Sequence, residues 1–180
     1  MSTVRIGFVG PANCGKTTIA EFYTEVTTEP NFSEYRPTQG LRILETGRKI
    51  HSLDNPVQVQ VWDISGDIQY ESYLTRLSMQ LDGVVIVCPG TDLRLTQTCK
   101  KYYQLIVDEE RVGKYGHVIC MLHKPVAPVA EDVYIEDKQL ASIPVYRTCM
   151  EVESAQISEI IDQLVEKIAK KQQNEGEFFE

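Results

Sequence analysis

Short apolar runs alternate with amphipathic segments along almost the whole chain. Val4 to Val9 reads as a short buried strand that runs into Gly10 to Thr17 and then a helix through about Tyr23. After a polar stretch rich in Thr, Glu and Pro comes Leu41 to Thr46, then a turn-like segment ending Asp54-Asn55-Pro56, then Val57 to Trp62 with β-branched residues at period two. This pattern predicts a hairpin. Gly83 to Cys88 and His117 to Leu122 are compact apolar runs of the kind found in strands covered on both faces. Between them, Leu93 to Glu110 has helical spacing, with Leu95, Cys99, Tyr102, Tyr103, Ile106 and Val107 as its inward stripe. Ile143 to Tyr146 is a last short strand, and Ser154 to Lys171 places Ile157, Ile160, Ile161, Leu164, Val165 and Ile168 along one helical face. Residues 127–142 are polar and weakly periodic, which predicts an irregular loop or a short helix.

Strands alternating with helices imply an α/β domain built on a mostly parallel six-stranded sheet with right-handed crossovers and helices on both faces. Ligands of such sheets bind outside the carboxyl ends of the strands, which is where the first strand meets its glycine-rich loop. The expected domain covers residues 1–171, with 172–180 as a disordered acidic tail.

Composition narrows the class. At 180 residues, 42% hydrophobic and 24% charged, the chain fits one globular domain with a real core. A net charge of -8 repels nucleic acid and anionic membrane surfaces, so neither is an expected partner. Five scattered cysteines without C-x-x-C spacing suggest neither a disulfide framework nor a zinc site, and point to a reducing cytosol. No apolar run reaches the roughly 18 residues of a membrane span. With Ser2 at the start and Glu-Phe-Phe-Glu at the end, no signal peptide or direct lipid anchor is expected.

The chemistry concentrates in Gly10-Pro11-Ala12-Asn13-Cys14-Gly15-Lys16-Thr17, which satisfies G-x-x-x-x-G-K-[ST] at every fixed position. Glycines let the backbone wrap around phosphate, and successive N–H groups at a helix start favour negative charge. Lys16 neutralises phosphate oxygens and the Thr17 hydroxyl suits Mg²⁺. Downstream, Asp63-Ile64-Ser65-Gly66 ends a strand with D-x-x-G, where Asp63 holds Mg²⁺ through water and the Gly66 amide senses a γ-phosphate. Between them lies Pro37-Thr38-Gln39-Gly40, in which Thr38 completes the Mg²⁺ ligands.

Here the chain resembles the Ras-like small GTPases and, within them, the Rab group. The runs Phe8 to Pro11, Tyr35 to Glu45, Gly66-Asp67, Gly83 to Val87 and His123-Lys124-Pro125 bring it closest to the Rab-like small GTPases of the intraflagellar transport B complex. The resemblance covers roughly residues 4 to 170. It implies a three-layer P-loop small-GTPase fold and a GTP or GDP cofactor with Mg²⁺ held by Thr17, Thr38 and Asp63. The implied nucleotide contacts are Gly10, Asn13, Cys14, Gly15, Lys16, Thr17, Thr18, Thr38, Gly66, Lys124 and Cys149. It further implies a place in the cytoplasm and in the cilium or flagellum and its base. The implied partners are the elongated coiled-coil subunits numbered seventy-four and eighty-one, with a role in cilium and flagellum assembly.

Two departures from the family pattern bear on activity. Conventional relatives follow D-x-x-G with Gln, whereas this chain has Asp67. A carboxylate cannot donate to a transition-state phosphoryl oxygen, so hydrolysis should suffer. The base-reading N-K-x-D is His123-Lys124-Pro125-Val126. Lys124 can still cover a purine face and the Cys149 amide can still donate to guanine O6, but the Asp that accepts two bonds is missing unless Glu131, Asp132 or Asp137 replaces it. Trp62, Tyr70 and Tyr73 are equally a partner surface or core filling. His51, His117 and His123 read as surface or strand-end histidines, Arg76 as a solvated helix residue and Cys14 as a small packed residue. The leading reading is a nucleotide-loaded docking module with very slow hydrolysis. A partner-activated timer, a constitutive structural subunit and an ATP-using P-loop enzyme remain open beside it.

Overall fold

The computed structural model describes residues 3–27, 36–91, 94–107, 117–124, 135–138 and 140–177. Chain order is β1 (Thr3–Val9), α1 (Lys16–Tyr23), β2 (Leu41–Arg48), β3 (Val57–Ile64), a 3₁₀ turn (Ile68–Tyr70), α2 (Glu71–Ser78), β4 (Gly83–Pro89), α3 (Leu95–Ile106), β5 (Val118–Lys124), β6 (Val145–Cys149) and α4 (Met150–Glu177). The sheet runs β2-β3-β1-β4-β5-β6. Among the described strands only β2 is antiparallel, paired with β3 as the predicted hairpin from Leu41↔Ile64 to Arg48↔Val57.

Strand alternation divides the core into two layers. Val59, Val61, Val85, Val87, Ile119 and Met121 face α1 and α4, where Ile19, Tyr23, Ile157, Ile161, Leu164 and Ile168 cover them. Ile64, Val84, Ile86, Cys88, Cys120 and Leu122 face α2 and α3, under Leu74, Leu95, Cys99, Tyr103 and Ile106. Successive strand side chains point to opposite faces, so an apolar run such as Gly83 to Cys88 feeds both layers at once.

Three expectations need correction. Helix α4 continues to Glu177, so 172–177 extend the helix instead of forming a tail. The Lys171–Glu175 pair at i,i+4, 3.6 Å apart, supports that extension. The last strand lies at Val145–Cys149, later than Ile143 to Tyr146, because its ladder with β5 begins at Cys120↔Val145. Helix α3 is shorter than the helical spacing of Leu93 to Glu110, and Val107 at its end is already extended, with ψ 114°. Of the segment 127–142, residues 135–138 and 140–142 form no helix or strand and the others lie outside the described residues. Among the described residues no helix is long and apolar enough to cross a membrane.

Candidate nucleotide-binding site

The P-loop closes on itself through its lysine. Lys16 is buried at the first position of α1, and its Nζ donates to the carbonyls of Gly10 at 3.0 Å and Pro11 at 2.7 Å. The ammonium thus spans the loop mouth, where phosphate oxygens would compete for the same donors. Gly15 has φ +94°, a conformation that L side chains rarely adopt, and a Cβ there would stand 2.5 Å from the His123 ring. Asn13 also has positive φ, at 59°. Cys14 lies buried under the loop, where burial raises its thiol pKa, and it packs as a small apolar residue.

The three residues expected to hold a metal converge from three segments. Thr17 Oγ1, on α1, donates to Asp63 Oδ2 at 2.8 Å. Thr38 Oγ1, from the segment before β2, donates to the same oxygen at 2.9 Å and lies 2.9 Å from the Thr17 hydroxyl. Asp63 is fully buried near the end of β3, and its Oδ1 has no hydrogen-bond partner among the described residues. Burial raises the Asp63 pKa, against the lowering effect of both threonines and Lys16. Two hydroxyls around a buried, half-satisfied carboxylate form an oxygen donor set of the kind that suits a hard cation such as Mg²⁺.

Gly66 brings the next segment onto the loop. A Cβ at this position would meet Ala12 N and Pro11 C at 2.4 Å, so the D-x-x-G backbone lies directly against the P-loop. The Ser65 amide donates to the Gly40 carbonyl at 2.8 Å and ties this segment to the one that carries Thr38. Asp67 bonds within its own turn. Its Oδ1 accepts from the Gln69 amide at 3.0 Å and its Oδ2 from Gln69 Nε2 at 3.2 Å, capping the 3₁₀ turn.

At the base end, Lys124 and Cys149 are register partners at the carboxyl ends of β5 and β6. Thr18 follows in the first turn of α1. Val126, Glu131 and Asp132 lie outside the described residues. The Asp137 carboxylate pairs with Lys100 of α3 at 2.7 Å. His123 stands where the conventional motif has Asn; the strand-end reading holds, but its packing against the P-loop was not foreseen. It is buried, 2% exposed, with Nδ1 3.0 Å from Thr148 Oγ1 and Nε2 unpartnered among the described residues. Its ring wedges under Gly15, and burial pushes its pKa down to about 4. The Asn-to-His change in that motif was the available signal. Of the other residues singled out, Trp62 belongs to the core, Tyr73 is exposed and Tyr70 half-buried, while Arg76 and His51 are exposed. His117 is a buried strand-end residue.

The Roc family, described as "Ras of Complex, Roc, domain of DAPkinase", matches residues 5–124. A Macaca fascicularis relative named "Intraflagellar transport protein 22 homolog" is 32% identical over 128 residues, 69% of this chain and 68% of the relative. The chain belongs to the intraflagellar transport protein 22 family of Ras-like GTPase domains. A Danio rerio member is 28% identical over 176 residues, covering 93% of this chain and 91% of its own. In fold, the T. brucei IFT22/74/81 GTP-bound crystal structure superposes with a TM-score of 0.75 at 23% identity, covering 97% of this chain and 99% of that one. Family membership agrees with the order P-loop, Thr38, Asp63 to Gly66 along the sheet, and with the antiparallel β2 at its edge.

Proposed function

We propose that this family member binds GTP or GDP with Mg²⁺ and, when GTP-loaded, docks as a small subunit on the coiled-coil subunits seventy-four and eighty-one of the intraflagellar transport B complex. The observation that carries the reading is the meeting of Thr17 and Thr38 on Asp63 Oδ2. Thr38 belongs to a segment that small GTPases reposition with the γ-phosphate, and here it reaches the metal carboxylate directly. Lys16, Thr17 and the loop amides would hold the phosphates, Thr17, Thr38 and Asp63 the metal, and Lys124 with the Cys149 amide the base. Bound Mg²⁺ would supply charge neutralisation between phosphate oxygens.

The relatives' names, intraflagellar transport protein 22 and its homologues, support the cilium or flagellum as the place of action, and the cytoplasm is the expected pool. The T. brucei relative's complex with 74 and 81 supports the choice of partners. Hydrolysis is proposed to be very slow, because Asp67 offers no donor and is occupied in its own turn.

The test measures nucleotide released on denaturing the purified protein, beside pull-down of the coiled-coil pair by wild type and by Lys16→Ala. Guanine nucleotide on wild type, with both nucleotide and pull-down lost in a folded Lys16→Ala, is the expected result. Adenine nucleotide would overturn the cofactor assignment. Equal pull-down by nucleotide-free variant would replace gated docking by a constitutive structural role.

A further inference from the structure

Three of the five cysteines, far apart in sequence, meet in the layer between the sheet and α3. Ile86 lies opposite Cys120 in the β4–β5 ladder, and Cys88 lies opposite Leu122, so Cys88 and Cys120 are diagonal neighbours on one face. Cys99, on the inward stripe of α3, comes down on the pair. Its Sγ is 3.6 Å from Cys120 Sγ, and all three sulfurs lie within 4.8 Å of one another. Each residue is 0% exposed.

The chemistry of this cluster restricts its ligand. No fourth His, Cys, Asp or Glu side chain joins it among the described residues, so the four protein ligands of a structural zinc or iron–sulfur site are lacking. Full burial leaves no exposed position for water to serve as the fourth. Thiolates select soft, thiophilic centres. Charge decides further, since three thiolates around a monovalent or divalent ion leave net negative charge inside an apolar layer, at a high desolvation cost. A trivalent, three-coordinate centre leaves none.

We propose that Cys88, Cys99 and Cys120 form a three-thiol site for a trivalent thiophilic metalloid, with arsenite as its representative. The reaction is As(OH)₃ plus three Cys–SH giving As(S–Cys)₃ plus three water molecules. Three As–O and three S–H bonds break, three As–S and three O–H bonds form, and no electron is transferred. The product is neutral and joins β4, β5 and α3. Because the sulfurs are buried, uptake requires local opening of α3 from the sheet and is correspondingly slow. A ligand bound only by the folded chain raises its unfolding temperature.

The experiment incubates the reduced full-length chain with arsenite without oxygen. Native mass spectrometry reads the stoichiometry and X-ray absorption reads the arsenic neighbours. The expected result is one arsenic per chain with loss of three hydrogens, three sulfur neighbours, and a raised unfolding temperature. Cys88→Ala, Cys99→Ala and Cys120→Ala should each lose the three-sulfur signature, with Cys99→Val as a bulkier alternative should Cys99→Ala fail to fold. No adduct on wild type, only two sulfur neighbours, or an unchanged adduct in Cys99→Ala or Cys99→Val would overturn the site. Preferential uptake of Zn²⁺ or Cu⁺ in a parallel competition would overturn the metalloid class.

Discussion

The Asp67 carboxylate closes on Gln69, taking the backbone amide at 3.0 Å and the side-chain amide at 3.2 Å. The residue that follows D-x-x-G therefore acts as a cap for the 3₁₀ turn, with the Ser65 hydroxyl accepting from its own amide at 3.2 Å. Asp67→Gln should raise single-turnover GTP hydrolysis toward the unaided rate of conventional relatives, about 10⁻⁴ s⁻¹, with wild type below it. The loss of the cap should cost about 1 kcal/mol of stability. A variant no faster than wild type would show that the path of the turn, and not the missing amide, limits the reaction.

Base selectivity should follow position 126. With Val126 where the conventional motif has Asp, this position offers no carboxylate to guanine. Val126→Asp should tighten GTP binding by about 10² to 10⁴, at roughly 1.5 to 3 kcal/mol per bond. ATP binding should not gain. Equilibrium titration with both nucleotides measures the difference, and equal gains would rule out base reading as its cause.

Acid should weaken the fold through its buried histidines. Burial lowers the pKa of both His117 and His123 to about 4, from an ordinary 6.5. The unfolded chain therefore binds more protons between those values. The histidine contribution is complete above about pH 6.5 and is lost as the pH falls toward 4. His123→Asn should flatten the pH dependence of the unfolding free energy from urea titration in that window, by up to about 1.4 kcal/mol per pH unit. Identical slopes in variant and wild type would show that His123 titrates normally.

A polar joint connects three elements away from the nucleotide site. Arg48, at the end of β2, donates to Asp162 of α4 at 3.0 and 2.7 Å, and the Tyr23 hydroxyl of α1 donates to the same carboxylate at 2.8 Å. The guanidinium also lies over the Tyr23 ring, 4.7 Å from its centroid. Asp162→Ala leaves the Tyr23 hydroxyl without the acceptor it donates to and Arg48 to its longer, more exposed pairing with Glu25 at 3.4 Å, and should destabilise the fold by about 2 kcal/mol in urea titration. Asp162→Asn should cost less, because the amide oxygen still accepts.

The sequence by itself determined the parts whose information is contiguous or periodic. Gly10 to Thr17 is one uninterrupted segment, so its residue types alone specify a strand, a phosphate loop and a helix start. The two apolar layers were legible in the stripe from Ile157 to Ile168 for one and in the stripe from Leu95 to Ile106 for the other, with Gly83 to Cys88 feeding both, because burial repeats every two residues on a strand and every 3.6 on a helix. Only the tertiary structure decided what depends on register and packing between distant segments. Thr17 and Thr38 reach one oxygen of Asp63 because β3 lies beside β1 and the segment before β2 is tied to the end of β3 by the hairpin register and the Ser65–Gly40 bond. The placement of His123 under Gly15 comes from the end of β5 meeting the P-loop. Cys88, Cys99 and Cys120, scattered along the chain, become one cluster because β4, β5 and α3 stack. Side-chain convergence of this kind is fixed by strand offsets and helix docking, which no local pattern encodes.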